Sequence, residues 1–362
     1  MIKQLVLTTL FSICLPIYLF AQTDLSKIDY SKPDALALSV KYDGDIVKLT
    51  HQLTDPFHDD FLKARAIFRW VTDNISYDYK FFNKYGYDSS GPGSFECRGD
   101  SAGCVLKHNV WEMKYINKVL DKKKGVCQGY AMVFKKMCDI AHIDCEYVPG
   151  YTRAEYYEIG TLGNLDHAWN VVRLNQEYYT LDATWAAGGC AKDDNGDLKS
   201  FTKHFNEYYW LTDARDFARN HFPEDAKWVL IKNYKKENFS ANPYYDAGII
   251  SGIQLIAPAT GIIHIKRGDT VHFKIAYGAT IKQVQINTNA FQNPDIWMEE
   301  YVSKRQTKRV LDTFAIKKQR YINFKQTGDV CEFAYVVKEN SLDYMDILFD
   351  YKRVMRFKTT YR

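Results

Sequence analysis

Between Asp60 and Ile75 the apolar residues Phe61, Ala64, Phe68, Val71 and Ile75 recur at helical intervals. One side of a helix would carry them all, so an amphipathic helix is predicted over 60–75. A second stripe starts near Cys127. Tyr130, Val133, Phe134, Met137, Cys138 and Ala141 fall at i, i+3, i+4, i+7, i+8 and i+11, which makes one continuous apolar face. Between the two helices, Lys84–Gly103 has no period and is rich in Gly, Ser and Tyr. It reads as a long loop. Further on the period becomes that of strands. Cys145–Thr152, Ala168–Leu174 and Glu177–Trp185 are read as strands, the last two joined as a hairpin turning at Asn175-Gln176. Helices first and strands afterwards point to an α+β domain with an antiparallel sheet.

From about Ile249 the pattern changes again. IIHIKRG, TVHFKIAYG, VQINTNAF, CEFAYVVKE and MDILFDYKRVMRF are short, β-branched or aromatic, and separated by turn residues. This predicts an all-β, immunoglobulin-like sandwich. The polar stretch Tyr234–Pro243 (YKKENFSANP) is the expected linker. A length of 362 residues also exceeds what one core usually holds. The expected division is therefore a leader over 1–21, a first domain over 22–238 and a β-rich domain over 245–362.

The leader is expected because MIKQLVLTTLFSICLPIYLFAQ has one Lys followed by an apolar run from Leu5 to Phe20. The run is shorter than a membrane span, is broken by Pro16 and ends at Ala21, which is the form of a cleavable signal peptide. No other segment is apolar enough to cross a bilayer. The expected location is secreted: periplasmic, cell-surface or extracellular. The formal net charge of +4 has no basic stripe behind it, which argues against nucleic acid as a partner. Of eight cysteines, Cys14 lies in the leader, so seven remain, and an odd number in an oxidising compartment leaves a free thiol.

Chemistry concentrates in three short pieces: GVCQGYA at 125–131, DHAWN at 166–170 and LDATW at 181–185. Cys127 falls in the first turn of the second helix, where unpaired N–H groups and the positive end of the dipole favour a thiolate. Gly129 is expected to let a substrate backbone approach. His167 and Asp182 lie on the two arms of the hairpin. A two-residue turn would set His167 opposite Thr184 with Asp182 on the diagonal of the same face. Asp182 would then accept one imidazole N–H and fix the tautomer.

These motifs, in this order, resemble the transglutaminase-like superfamily of papain-fold cysteine enzymes. The resemblance extends upstream to KARAIFRWVTDNISYD and downstream to YYWLTDARDFARNHFPEDAKWVLI, and covers about residues 40–232. The downstream block, with GYTRAEYYEIG, is similar to the branch containing kyphoscoliosis peptidase and its cytokinesis relatives. It implies a papain-like core of a helix against an antiparallel sheet, and cysteine-dependent acyl transfer at amides through a Cys127–His167–Asp182 triad. Some members of that branch lack the triad and act as scaffolds; here all three positions are filled. Relatives of kyphoscoliosis peptidase also carry a β-rich C-terminal part.

The expected function is that of a secreted thiol enzyme acting on a protein or peptide substrate, foremost a peptidase, with no cofactor and no metal. A crosslinking transglutaminase and a non-catalytic binding module of the same fold are the alternatives. No HExxH, CxxC, P-loop or GxGxxG occurs. Cys138 and Cys145 are expected to fill the core or pair with each other. Cys190 lies near the site without a role, and His221 and Trp228 are expected to be structural. Cys97-Arg98-Gly99-Asp100…Cys104 is read as a small disulfide-closed loop rather than an adhesion motif, and Lys84–Gly103 as either a lid over the cleft or a solvent-exposed insertion.

Overall fold

The computed structural model describes residues 23–86, 101–246, 248–303 and 306–361. The expected leader and the centre of the expected lid, with Cys97 and the Arg-Gly-Asp tripeptide, lie outside them.

Three helices open the chain: α1 (Ser31–Ser39), α2 (Ile46–Thr54) and α3 (Asp60–Asn74). Asp45 and Asp59 start α2 and α3 by accepting backbone N–H groups of the first turn. The predicted stripe on α3 is buried, and so are Ala66, Ile67 and Trp70. It is a central helix rather than a surface one. Arg65, also buried, donates to Asp34 on α1 and to Glu207, tying both ends of the domain to α3. Strand β1 (Ser76–Tyr77) follows, and then α4 (Tyr79–Tyr85), capped by Asp78 and ended by Gly86 at φ +67°. The next described element is α5 (Ser101–Lys122). Both ends of the expected loop are thus helical. Composition concealed this, because Gly and Ser next to the helix ends look like continuing loop.

Strand β2 (Lys124–Gly125) pairs in parallel with β1 and leads into α6 (Cys127–Ile140). This is the second predicted helix, and its apolar face is buried. It packs on a sheet formed by β3 (Cys145–Thr152), β4 (Leu165–Leu174) and β5 (Glu177–Leu181). Asn175 and Gln176 form the predicted two-residue turn, with φ of +47° and +70° and Leu174 paired to Glu177. The second arm is shorter than expected. Asp182 leaves the strand and caps α7 (Ala183–Ala187). Thr184 is therefore helical, and the residue opposite His167 in the sheet is Gly150. The hairpin β6 (Gly188–Lys192) and β7 (Leu198–Lys203), the short helix α8 (Ala214–Phe217) and strand β8 (His221–Pro223) complete the domain. β8 joins β3, giving the antiparallel order β5-β4-β3-β8.

The expected linker is not a free tether. Residues 236–240 form α9 (Lys236–Ser240), and Phe239 is fully buried. Arg153 donates to the carbonyls of Phe239 and Ser240. One apolar residue in a polar run gave too little periodicity to read. A second core, from Ile253 to Phe357, fills a sandwich. One sheet runs β10 (Ile253–Ala257), β12 (Thr270–Tyr277), β17 (Val330–Val336), β16 (Phe324–Thr327). The facing sheet runs β11 (Ile262–Ile265), β19 (Lys352–Tyr361), β18 (Tyr344–Phe349), β13 (Val284–Thr288), with β9 (Tyr244–Tyr245) also on β19. Only β11–β19 is parallel within these sheets. An exposed hairpin, β14 (Trp297–Ser303) and β15 (Gln306–Leu311), and the short helix α10 (Thr313–Lys317) lie between β13 and β16. No helix among the described residues is long and apolar enough to cross a membrane.

Candidate active site

The site forms where the start of α6 meets the sheet. Val126 caps α6 in an extended conformation and has no side-chain acceptor to offer. Its carbonyl takes the N–H of Gly129 at 2.8 Å. Cys127 is the first helical residue, so its N–H and that of Gln128 have no partner one turn back inside the helix. Its side chain is fully buried. Gly129, two residues on, has a packing role. A Cβ there would stand 3.0 Å from Val119, so its absence lets α5 pack closely against α6.

His167 projects from β4 toward Cys127. Its Nε2 lies 2.7 Å from Asp182 Oδ2, and the Cys127 side chain is near enough to help raise its pKa. With Nε2 committed to Asp182, Nδ1 is the ring atom left for the thiol. Asp182 is fully buried, yet every side of its carboxylate is occupied. Oδ1 accepts the N–H groups of Thr184 at 2.7 Å and Trp185 at 3.1 Å, while Oδ2 faces His167 and, at 3.2 Å, His221 Nε2. The turn from strand to helix at 182 therefore does what the expected diagonal pairing would have done. Helix capping fixes the carboxylate instead of a strand register. The three residues named from the sequence stand together.

The charges follow from these contacts. Burial works against the charged form of both partners. For His167 the attraction of Asp182 and then of Cys127 outweighs burial, and its pKa lies well above the usual histidine value. For Asp182, burial is outweighed by His167 and His221, and its pKa lies well below the carboxylate range. Both shifts favour an ionised carboxylate behind a protonated imidazole, the arrangement that keeps a proton available next to the sulfur.

Sequence reading assigned no role in the site to several neighbours. His221 is 1% exposed, stacks on Phe217 at 4.1 Å between ring centres, and has burial pushing its pKa down to about 4. Trp169 and Trp185 lean on both histidines. Gly150 makes room for Trp169, since a Cβ there would stand 2.2 Å from the indole. Trp169 lies in DHAWN, and Trp185 in LDATW, so both were in view as motif residues. His221 had no local signal, because it reaches Asp182 only through sheet pairing 39 residues away. Tyr77, on β1, pairs with Gly125 and feels both Cys127 and Cys190. Burial above all raises its pKa.

His167, Asp182 and His221 bring ligand-type atoms within 4.8 Å of one another. Two of them are 2.7 Å apart. Ligands at tetrahedral corners around zinc would stand about 3.3 Å apart, so this is a hydrogen-bonded cluster. Of the other cysteines, Cys138 and Cys145 are buried and free, and burial above all pushes the Cys138 thiol up, with Cys145 beside it adding to the shift. Cys190 and Cys331 are also free. Cys104 is in a disulfide, and the cysteine expected to pair with it, Cys97, lies outside the described residues.

Comparison with known proteins gives a consistent picture. Residues 47–183 match the model of the transglutaminase-like superfamily, a span from α2 through Asp182. Kyphoscoliosis peptidase of Mus musculus is 27% identical over 247 residues, 66% of this chain and 32% of the mouse protein. Hillarin of Drosophila melanogaster is 26% identical over 216 residues, 57% of this chain and 23% of the fly protein. The chain spans about a third or less of the length of these relatives. A solved TGase structure aligns over 42% of this chain and 32% of its own at 15% identity and a TM-score of 0.26.

Proposed function

We propose that the transglutaminase-like domain of this chain is a cysteine-dependent acyl transferase acting on peptide amides, foremost a peptidase. The match over 47–183 supports the family reading. The observation that carries the activity is the imidazole of His167, held by Asp182 at 2.7 Å and raised in pKa by both Asp182 and the neighbouring Cys127. In this reading the Cys127 sulfur attacks an amide carbonyl. The C–N bond breaks as His167 gives its proton to the leaving amine, and a thioester on Cys127 remains. Water then attacks the thioester as the neutral His167 takes its proton, the C–S bond breaks to release the acid, and the Cys127 sulfur is returned beside a protonated His167. A lysine amine in place of water would give a crosslink. The N–H groups that open α6 are the nearest candidates to stabilise the oxyanion. Secretion, with cleavage near Ala21, belongs to the same proposal and rests on the sequence of the leader alone.

Labelling tests the reading. The purified chain is treated with iodoacetamide, and each cysteine peptide is followed by mass. Cys127 is expected to label fastest, ahead of the half-buried Cys190, despite its own burial. Labelling of Cys190 with Cys127 inert would favour a binding module. Peptide substrates offered with and without a primary amine then separate hydrolysis from crosslinking.

A further inference from the structure

Outside the three residues named so far, the most constrained ionisable group in the site is His221. It sits on β8, the edge strand beside β3, and aromatic rings pack against it. Phe217 stacks on it with the planes 21° apart. Trp185, Trp169 and Tyr209 meet it edge to face at 4.6, 5.1 and 6.0 Å. Such a setting disfavours a charged ring. Yet Nε2 points at Asp182 Oδ2, 3.2 Å away, the oxygen that also faces His167 at 2.7 Å. Asp182 thus holds two imidazoles on one atom.

We propose that His221 is a positioning residue, a neutral second imidazole whose Nε2–H shares Asp182 Oδ2 with His167 and limits how strongly Asp182 holds the His167 proton. This deepens the triad reading and rests on it. The argument is one of hydrogen-bond inventory. A neutral ring has one N–H. If it donates to Asp182, Nδ1 must accept. The side chain of Asn220 lies against Nδ1, with its Oδ1 at 2.6 Å as placed and its Nδ2 3.4 Å from the Tyr209 hydroxyl. Two acceptors around one ring would call for an imidazolium, which burial opposes; the pKa of about 4 agrees with burial. A half-turn of the amide removes the conflict. Tyr209 O–H then donates to Asn220 Oδ1, Asn220 N–H to His221 Nδ1, and His221 N–H to Asp182. The chain has one direction and ends on the carboxylate.

The consequence is chemical. Each N–H that Asp182 accepts spreads its charge and lowers its basicity. With His221 donating, Asp182 is a weaker base toward His167, and His167 gives up its proton to a leaving amine more readily. Removing the donor concentrates the charge on the one remaining imidazole. The ionisable groups that face His221 are Asp182, His167 and Tyr209; burial chiefly raises the pKa of Tyr209, which keeps its phenol protonated.

Histidine-selective nitrogen-15 NMR of the full chain tests this without a substrate. Wild type is expected to show His221 neutral at pH 7 with its proton on Nε2. In His221→Phe the titration midpoint of His167 should rise by about half a pH unit, roughly a threefold gain in proton affinity. In His221→Gln, whose amide N–H can replace Nε2–H, the midpoint should stay at the wild-type value. A charged His221, a proton on Nδ1, or one midpoint shared by all three proteins would overturn the proposal. If His221→Phe does not fold, the wild-type tautomer and the Gln variant decide. Cys127 labelling is a separate readout, so an inert thiol would remove the enzyme reading and leave this answer standing.

Discussion

At the scale of the residue, Asp182 is the group on which most depends. It caps α7 and holds two histidines, so its charge and its shape are both in use. Asp182→Asn keeps an oxygen for the N–H groups of Thr184 and Trp185 but turns an NH2 toward two imidazoles. Turnover on any peptide substrate should fall by roughly a thousandfold or more, while α7 stays formed by circular dichroism. Equal turnover would remove Asp182 from the mechanism. The histidines also set the response to pH. For His221 the folded pKa of about 4 lies below the unfolded value, so the unfolded chain binds more protons between pH 4 and 6.5. Stability should therefore fall as pH drops through that window, by about 3 kcal/mol in all. His167 has the opposite sign. Its raised folded pKa gives stability that is full below about pH 6.5 and lost as pH rises through the folded value. Urea unfolding across pH should peak near neutrality, and His221→Gln should flatten the acid side. An acid limb unchanged by that substitution would contradict the assignment.

At the scale of the element, the helix starting at Cys127 and the hairpin turning at Asn175-Gln176 were legible because each has a local signature, one a 3.6-residue stripe and the other a two-residue turn between strands. The end of β5 was not legible. LDATW continues the strand pattern, and only the capping of α7 by Asp182 shows that the chain turns there. His221 was hidden for another reason, since its partner is reached through β8–β3 pairing rather than through sequence. Gly150 shows how these pieces depend on one another. It pairs with His167 and Pro223 at the centre of the sheet and leaves the space that Trp169 fills. Gly150→Ala should push Trp169 off both histidines. The expected cost is about 1–3 kcal/mol by denaturant unfolding, with slower Cys127 labelling. Wild-type stability in this variant would mean that the indole can move without consequence.

At the scale of the whole molecule, two cores are joined by a segment that packs on the first and touches the second. Phe239 is buried and shares ring contacts with Phe222. Gly261, at the start of the sandwich, has Pro243 so close that a Cβ would meet it at 2.3 Å. Composition marked the segment as a boundary but could not tell packing from tethering. A chain ending at Tyr234 should thus be less stable than one ending at Pro243, by about 3–5 kcal/mol, the usual cost of losing a buried Phe. Comparable melting of the two would make residues 235–243 a passive connection.

The central claim is that Cys127 carries an acyl group. The direct measurement offers the chain an activated peptide ester, quenches in acid and weighs the tryptic peptide containing Cys127. The account predicts an acyl adduct on Cys127 that water removes over time, slower removal in Asp182→Asn, and no adduct at this position in Cys127→Ala. An unmodified Cys127, or an adduct found on Cys190 instead, would contradict it.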